Sequence, residues 1–585
     1  MRHGVKWAVG LLCALGVLAC GAYRWPVGPA KVGAEINSAI SPRLGLHWRD
    51  PARATLALLP WPTLRVRGVE LVGPNDTRAL SAPSALFSLS LGGLLGGRFV
   101  PIGATLRDPT AFIDLDAAPL AAAEARFLSG AENGERFALW PHVRFQGGVL
   151  HIVSAAHRFD ALIENFEGSF DWPDADKPMS FALAGAWRDE SVTIEGEIDN
   201  PGEGLRKRST GVKLAIASRP LAFALNGTWG GDAASGFAGE VSAQVRSLGA
   251  LERLFGAGPV PLFVGDAFSL EGKAQTNGAS LALSDARLEV AGQRLEGALT
   301  LSRENARTAI SATLAADSLK IEPLIGAPPT FLNDGGAWSA EPFGFAPPRD
   351  VDLDLRISAA HADWRGHRLD DAAGSLICKD GELTAKLLQA AAFQGVLKGE
   401  LTLARGEDGL ETRLAGSLAD ADVGAALADF GWNGYRGRGG FDFSLRSTGF
   451  TLADSVASLA GAASLDLQPG VIGGVSIEEA MRRSQRRPVD VARDMAIGQT
   501  TFTRAHAQFA VASGIAQIEG ARVEGPGSAL AIEGSINIAA RVLDARLAAT
   551  QADAEGAPSA DAARLTIVVA GPWSAPSVIA LPGGG

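Results

Sequence analysis

Eight histidines are scattered through the 585 residues. One group has a spacing that invites ligand or acid–base chemistry. His361 and His367 flank Asp363 and share strand parity, an arrangement that could hold a metal. An exposed polar strand face explains the same residues, and His151 and His157 are read the same way. No GxSxG, HExxH, P-loop or dinucleotide fingerprint occurs. The Asp and Glu residues sit singly on polar strand faces, where they serve solubility. No catalytic, cofactor or metal residue is therefore assigned, and the chain is expected not to be an enzyme. Cys13 and Cys20 lie in an N-terminal apolar run and only Cys378 lies in the body, so the body has no internal disulfide and no zinc spacing. The one dense basic cluster is Arg482, Arg483, Arg486 and Arg487. It reads as a solvated helix end, or as a contact for anionic head groups or an acidic partner.

The elements that position these residues are mostly strands. Val351, Leu353, Leu355 and Ile357 alternate with Asp352, Asp354, Arg356 and Ser358. Phe441, Phe443 and Leu445 alternate with Asp442, Ser444 and Arg446, and Phe87, Leu89 and Leu91 with Ser88 and Ser90. Leu530, Ile532, Ile536 and Ile538 share one parity. Successive strand side chains point to opposite faces, so each stretch has one apolar and one polar face. Such one-sided sheets are normally antiparallel. A short pattern, apolar-x-Gly-x-apolar, recurs around Gly168, Gly185, Gly196, Gly227, Gly239, Gly297, Gly399, Gly416 and Gly534. Each Gly has the parity of its apolar neighbours and allows a bend, a bulge or a close approach on the inward face. Few helices are expected: Lys31 to Ile40, Leu248 to Phe255, Val423 to Phe430, Ser476 to about Arg483 behind a capping box, and Pro488 to about Ala496.

The expected architecture is mainly β: an elongated, curled antiparallel sheet with an apolar groove, few short helices and one N-terminal transmembrane helix. Trp7 to Tyr23 is uncharged and flanked by Arg2, Lys6 and Arg24. Its length is at the lower limit for a bilayer span, and the basic residues before it hold the start on the cytoplasmic side. A cleaved signal or a lipoprotein signal ending at Cys20 is the alternative. The domain reading is 1–24 anchor, 25–327 N-terminal β-rich region, 328–348 Pro- and Gly-rich linker and 349–585 C-terminal β-rich region. Gln551 to Ala562 reads as a further loop. The net charge of −11 argues against nucleic acid as a partner. A secreted body without disulfides fits a bacterial envelope.

Three stretches resemble the AsmA family of envelope proteins. The first combines Ser41-Pro42-Arg43-Leu44-Gly45 with Leu59 to Leu71, Ala85 to Leu95 and Leu106-Arg107-Asp108-Pro109. The second is Trp338 to Leu403, with Asp380-Gly381-Glu382-Leu383 and Phe393-Gln394-Gly395. The third runs from Phe430-Gly431-Trp432 through Gly437 to Leu445 and Leu467 to Val475. It continues through Thr500-Thr501-Phe502 and Gly534 to Ile538 and closes with Gly571 to Pro576. Pro469 departs from the family, which places Asp or Asn there. The resemblance implies a single-pass bacterial inner-membrane protein with a periplasmic body and a role in outer-membrane biogenesis. It also implies phospholipid as a partner, alongside possible envelope protein partners. The residues expected to face lipid are Leu295, Leu299, Leu353, Leu355, Leu397, Leu401, Phe441, Phe443, Ile532 and Ile536. A structural or partner-binding β-solenoid or sandwich, acting as an envelope assembly factor, is the alternative.

Overall fold

A computed structural model describes residues 23–582 apart from internal stretches, the longest being 115–141, 256–265, 485–497 and 552–563. The protein is mainly β: of the described residues 71% lie in strands and 10% in helices. It divides into two compact units, Met1–Val290 and Ala291–Gly585.

The first unit opens with β1 (Trp25–Val27), helix α1 (Pro29–Leu44), β2 (His47–Arg49), β3 (Arg53–Ala57), β4 (Thr63–Val72), β5 (Arg78–Leu89) and α2 (Leu91–Leu95). β1 pairs with β3, and β2 and β3 both pair with β4, which pairs with β5. Next come β6 (Pro101–Arg107), β7 (Thr110–Asp114) and β8 (His142–Ser154). β6 and β7 pair antiparallel with β5 and parallel with β8. The ladder continues through β9 (Phe159–Asp171), β10 (Met179–Trp187), β11 (Glu190–Ile198), α3 (Pro201–Leu205), β12 (Thr210–Ala217) and β13 (Leu221–Trp229). It ends with β14 (Phe237–Val245), α4 (Leu248–Phe255), β15 (Phe268–Asn277) and β16 (Ser280–Val290). From β9 to β16 each strand pairs antiparallel with its predecessor.

The second unit begins with β17 (Gln293–Glu304), β18 (Arg307–Lys320), α5 (Glu322–Ile325), β19 (Val351–Trp364) and β20 (His367–Lys379). It continues with β21 (Glu382–Ala392), β22 (Gly395–Gly406), β23 (Gly409–Asp422), α6 (Val423–Ala428), β24 (Tyr435–Gly449), α7 (Leu452–Ala457) and β25 (Ala460–Gly473). After α8 (Ile477–Ser484) come β26 (Gln499–Phe502), β27 (Arg504–Ala512), β28 (Ile515–Gly525) and β29 (Ser528–Asn537). The last strands are β30 (Val542–Gln551), β31 (Arg564–Pro572) and β32 (Ser577–Pro582). β26 and β27 both pair with β25, and the other neighbours pair antiparallel in sequence order. The exception is β18 with β19, which is parallel.

The expected antiparallel sheet thus needs a correction at two places, β6/β7 to β8 and β18 to β19. A parallel step requires a crossover rather than a hairpin. The 328–348 stretch expected to separate two regions lies inside the second unit as part of that crossover, and its Pro and Gly suit a long irregular connection. It is pinned to hairpin ends of its own unit. Trp338 Nε1 donates to the Ile538 carbonyl at 2.9 Å, and the Ala453 and Phe343 amides bond to the Ser339 and Phe450 carbonyls.

Four helices match their expected positions, with Val423 to Ala428 and Ile477 to Ser484 forming the later pair. The stretch from Pro488 to Ala496 lies outside the described residues, as does the N-terminal run before Tyr23. No helix among the described residues is long and apolar enough to cross a membrane. The strands expected from alternation are present in β5, β19, β24 and β29, although Leu91 belongs to α2.

Several strand interiors change parity midway, and in four of them the change falls at an Asx with positive φ: Asn165, Asp285, Asp371 and Asp420. Ile163 and Phe166 share one face across Asn165, and Leu283 and Leu288 do so across Asp285. The ladder register shifts at each place. Asx tolerates the left-handed region better than most residues. A bulge adds one residue, bends the strand and restores the apolar side chains to one face.

Candidate functional site

Cross-strand partners lie on the same face, so following printed partners from strand to strand traces what one face presents. In the second unit one row runs Leu299, Ala312, Leu355, Leu376, Ala385, Leu401 and Leu414 from β17 to β23. It continues through Leu445, Gly461, Val511, Ala516, Ile536, Leu543 and Gly571 to β31. No member is polar. The next row runs Gly297, Leu314, Ile357, Gly374, Leu387, Gly399, Gly416 and Phe443. It ends with Ala463, Phe509, Ile518, Gly534, Ala545, Val569 and Val578. A third row joins Leu397, Leu418, Phe441, Leu465, Ala507, Ala521, Ile532, Leu547 and Ile567.

Nine of the ten residues expected to face lipid fall on these rows or, for Leu353, on the adjacent row through Ile310 and Cys378. Leu295 shares the parity of Gly297 and Leu299 in β17. The structure therefore brings all ten onto one face of the second unit. All nine Gly residues of the recurring pattern lie within strands. Four of them, Gly297, Gly399, Gly416 and Gly534, align with Gly374 in a single row, which the sequence pattern did not reveal. At Gly416 a Cβ would meet the Phe443 ring at 2.7 Å, so the missing side chain makes room for that aromatic.

The face is unevenly covered. At its far end α8 lies on it. Ile477, Ala480 and Met481, spaced one helical turn apart, are buried with Leu530, Ala549, Leu565 and Ile567. Over β22 to β25 the same rows are half-buried or open, with Leu414 41% and Phe441 38% exposed. The first unit repeats this. Its row runs Trp25, Leu56, Leu64, Phe87, Ala104, Val143 and Phe170, then Phe181, Gly196, Leu214, Leu225, Val241 and Gly272. Leu64, Phe87 and Ala104 are buried in a core with Val32 of α1, whereas Phe181, Leu214 and Leu225 are only half-buried.

A concavity of about 660 Å³ spans β21 to β25, β27 and β28, walled by Leu387, Phe443 and Phe509 and also by Lys386, Lys398 and Glu400. A second, of about 480 Å³, is lined mainly by the opposite parity, including Thr384, Lys386, Glu400, Thr402 and Arg413. Lys386 and Glu400 pair at 3.1 Å across it.

The residues considered for metal chemistry are engaged separately. His361 Nδ1 lies 2.7 Å from Asp370. Asp363 accepts from the Gly366 amide, and the His367 ring lies against Phe393. The Arg368 guanidinium, and secondarily His361, hold Asp370 below the usual carboxylate range. No cluster of three or more metal-ligating side chains occurs among the described residues. Arg482 and Arg483 lie in α8, while Arg486 and Arg487 lie outside the described residues. Pro469, the departure noted above, sits in a bulge. With Gln468 it lies opposite Arg438, between the pairs Gly437–Gly470 and Gly439–Leu467. A proline is tolerated at a bulge because the ladder needs no donor there.

A family model, described as AsmA family, matches residues 333–520. Over that stretch the chain is similar to the AsmA family. The matched segment begins in the crossover and ends in β28, so it contains the open part of the apolar face. It includes the second resembling stretch and most of the third. The opening module and the tail beyond residue 520 lie outside it. No curated protein and no solved structure matches the chain.

Proposed function

We propose that this protein works in envelope biogenesis as a non-enzymatic holder or conductor of phospholipid acyl chains. In this reading an N-terminal segment tethers it once to a bacterial inner membrane, and its body occupies the periplasm. The observation that carries the proposal is the unbroken apolar row from β17 to β31, uncovered over β22 to β25. Burying a methylene gains about 0.8 kcal/mol, so a sixteen-carbon chain gains on the order of 10 kcal/mol by leaving water for such a face. Neighbouring strands stand ~4.8 Å apart, so the glycine-containing row from β17 to β32 is roughly 65 Å long. That is several times the ~15 Å depth of one bilayer leaflet. The basic cluster of Arg482, Arg483, Arg486 and Arg487 would suit anionic head groups.

Photocrosslinking in living cells tests this with the full chain. A crosslinking amino acid at Leu397, Leu414 or Phe441 is expected to yield phospholipid adducts. The same probe at Arg413 or Asp442, one residue away on the opposite face, should not. Protein adducts without lipid from the apolar positions would sink the lipid reading and favour an assembly factor that binds a protein partner.

A further inference from the structure

A second apolar surface, distinct from the face of the sheet, lies at one edge of the first unit. Two loop tips converge there. The β3–β4 turn carries Leu58 and Trp61, and α2 carries Leu91 and Leu95. The register brings them together, because the Leu89 amide bonds to the Pro62 carbonyl at 2.9 Å. β1 starts at the same edge, since Trp25 pairs with Leu56, and the ring of Tyr23 packs edge-on against Trp25 at 5.2 Å. All six side chains are exposed, Trp61 by 72% and Leu95 by 90%. A surface-exposed cluster of this kind marks an interaction site.

The tip is held in shape without being covered. The Ser90 amide bonds to the Val100 carbonyl, and the Arg98 amide to the Gly93 carbonyl, both at 2.9 Å. Glu35 of α1 accepts from the Phe99 amide at 2.7 Å, and Lys31 lies over the Phe99 ring. The same loop therefore buries its Phe99 side inward and presents Leu91 and Leu95 outward.

We infer that this edge of the first unit inserts into the head-group region of a phospholipid bilayer. Three observations choose a bilayer over a protein. The chain leaves this edge directly into the uncharged run from Trp7 to Tyr23. Trp and Tyr, which dominate the cluster beside Leu, are the side chains that favour the membrane–water interface. Arg24 and Arg98, both exposed, border the apolar tips and suit anionic head groups. The sheet thus stands with one edge of its first strands against the membrane, held at the tether and at the two tips. The inference rests on the membrane tether of the proposed function.

The test uses the full chain with Cys13, Cys20 and Cys378 replaced by Ala, reconstituted in vesicles of zwitterionic and anionic phospholipid. A polarity-sensitive fluorophore is placed by Trp61→Cys, Leu91→Cys or Leu95→Cys. Arg219→Cys labels the opposite edge, in the β12–β13 turn. Nitroxide lipids labelled near the head group are expected to quench the three tip positions severalfold more than position 219. Chain that floats with the vesicles while its tip labels stay as unquenched as position 219 overturns the inference and leaves the tether standing. Tip labels shielded from water but unquenched by lipid overturn it in favour of a protein partner. Chain that does not float with the vesicles overturns both tether and tips.

Discussion

Tyr435 illustrates how a single side chain reports on the packing beneath the sheet. It is buried with Val423, Phe502 and Ala505, and its ring stacks on Phe502 at 6.0 Å. Its hydroxyl is 3.4 Å from the Arg438 carbonyl. Burial, with Asp422 nearby, pushes its pKa up to about 12. The neutral phenol is the form the fold prefers. Its contribution to stability is complete below the ordinary phenol value of about 10 and is lost as pH rises towards 12. Only two tyrosines exist, so a Tyr23→Phe chain isolates this one. Its tyrosinate absorbance is expected near pH 12 while the fold persists, and a midpoint near 10 would mean that Tyr435 is solvated. The role of Tyr435 was not legible in the sequence, because its burial depends on Phe502, 67 residues away. The inward glycines were legible, since parity alone placed them. Their alignment in one row was not, because register between strands is set by turns and bulges.

Among the elements, α8 decides how much of the apolar face is open. Ala480 is 1% exposed against Leu530 and Leu565. An Ala480→Glu substitution puts an unpaired carboxylate there, which costs several kcal/mol unless the helix detaches. Hydrogen exchange is expected to quicken in 477–484 and in β29 to β31 while β19 to β23 keep their protection. Uniform loss of protection would show that α8 is integral to the whole unit. This helix could be read from the capping-box pattern of Ser476 to Glu479. The bulges also left a trace that went unread: apolar parity switches across Asn165, Asp285, Asp371 and Asp420. An Asx between two apolar sets of opposite parity is a bulge signal, whereas a search for uninterrupted alternation splits such a strand in two. α7 was missed as well. Thr451 and Asp454 form a reciprocal capping box at its start, but the helix is too short to show periodicity.

Across the whole molecule, exposed carboxylates in both units are tuned in one direction. Asp285 is held low by Lys273, Asp370 by Arg368, Glu203 by Arg208 and Glu322 by the Arg365 amide. A lowered pKa gives stability that is present above the unfolded value and lost as pH falls through the folded one. The thermal midpoint is therefore expected to drop as pH falls through and below about 4. Calorimetry checks this, and a midpoint that rises on acidification would contradict it. Each pair is exposed and contributes little alone. Sequence alternation revealed the β class of the whole chain. It could not reveal the parallel steps, because a strand has the same pattern in either direction.

Those two parallel steps also bear on how the chain can be built. Wherever neighbours in the sheet are neighbours in sequence, a strand can dock on the one made just before it, with a small loop to close. A chain emerging N-terminus first can therefore zip up hairpin by hairpin without waiting for its far end. At each parallel step the ladder must pause, after β7 until β8 follows residue 141 and after β18 until β19 follows residue 350. During each pause a strand edge stands unpaired and open to the wrong partner. Assembly is thus exposed at moments that the topology itself sets.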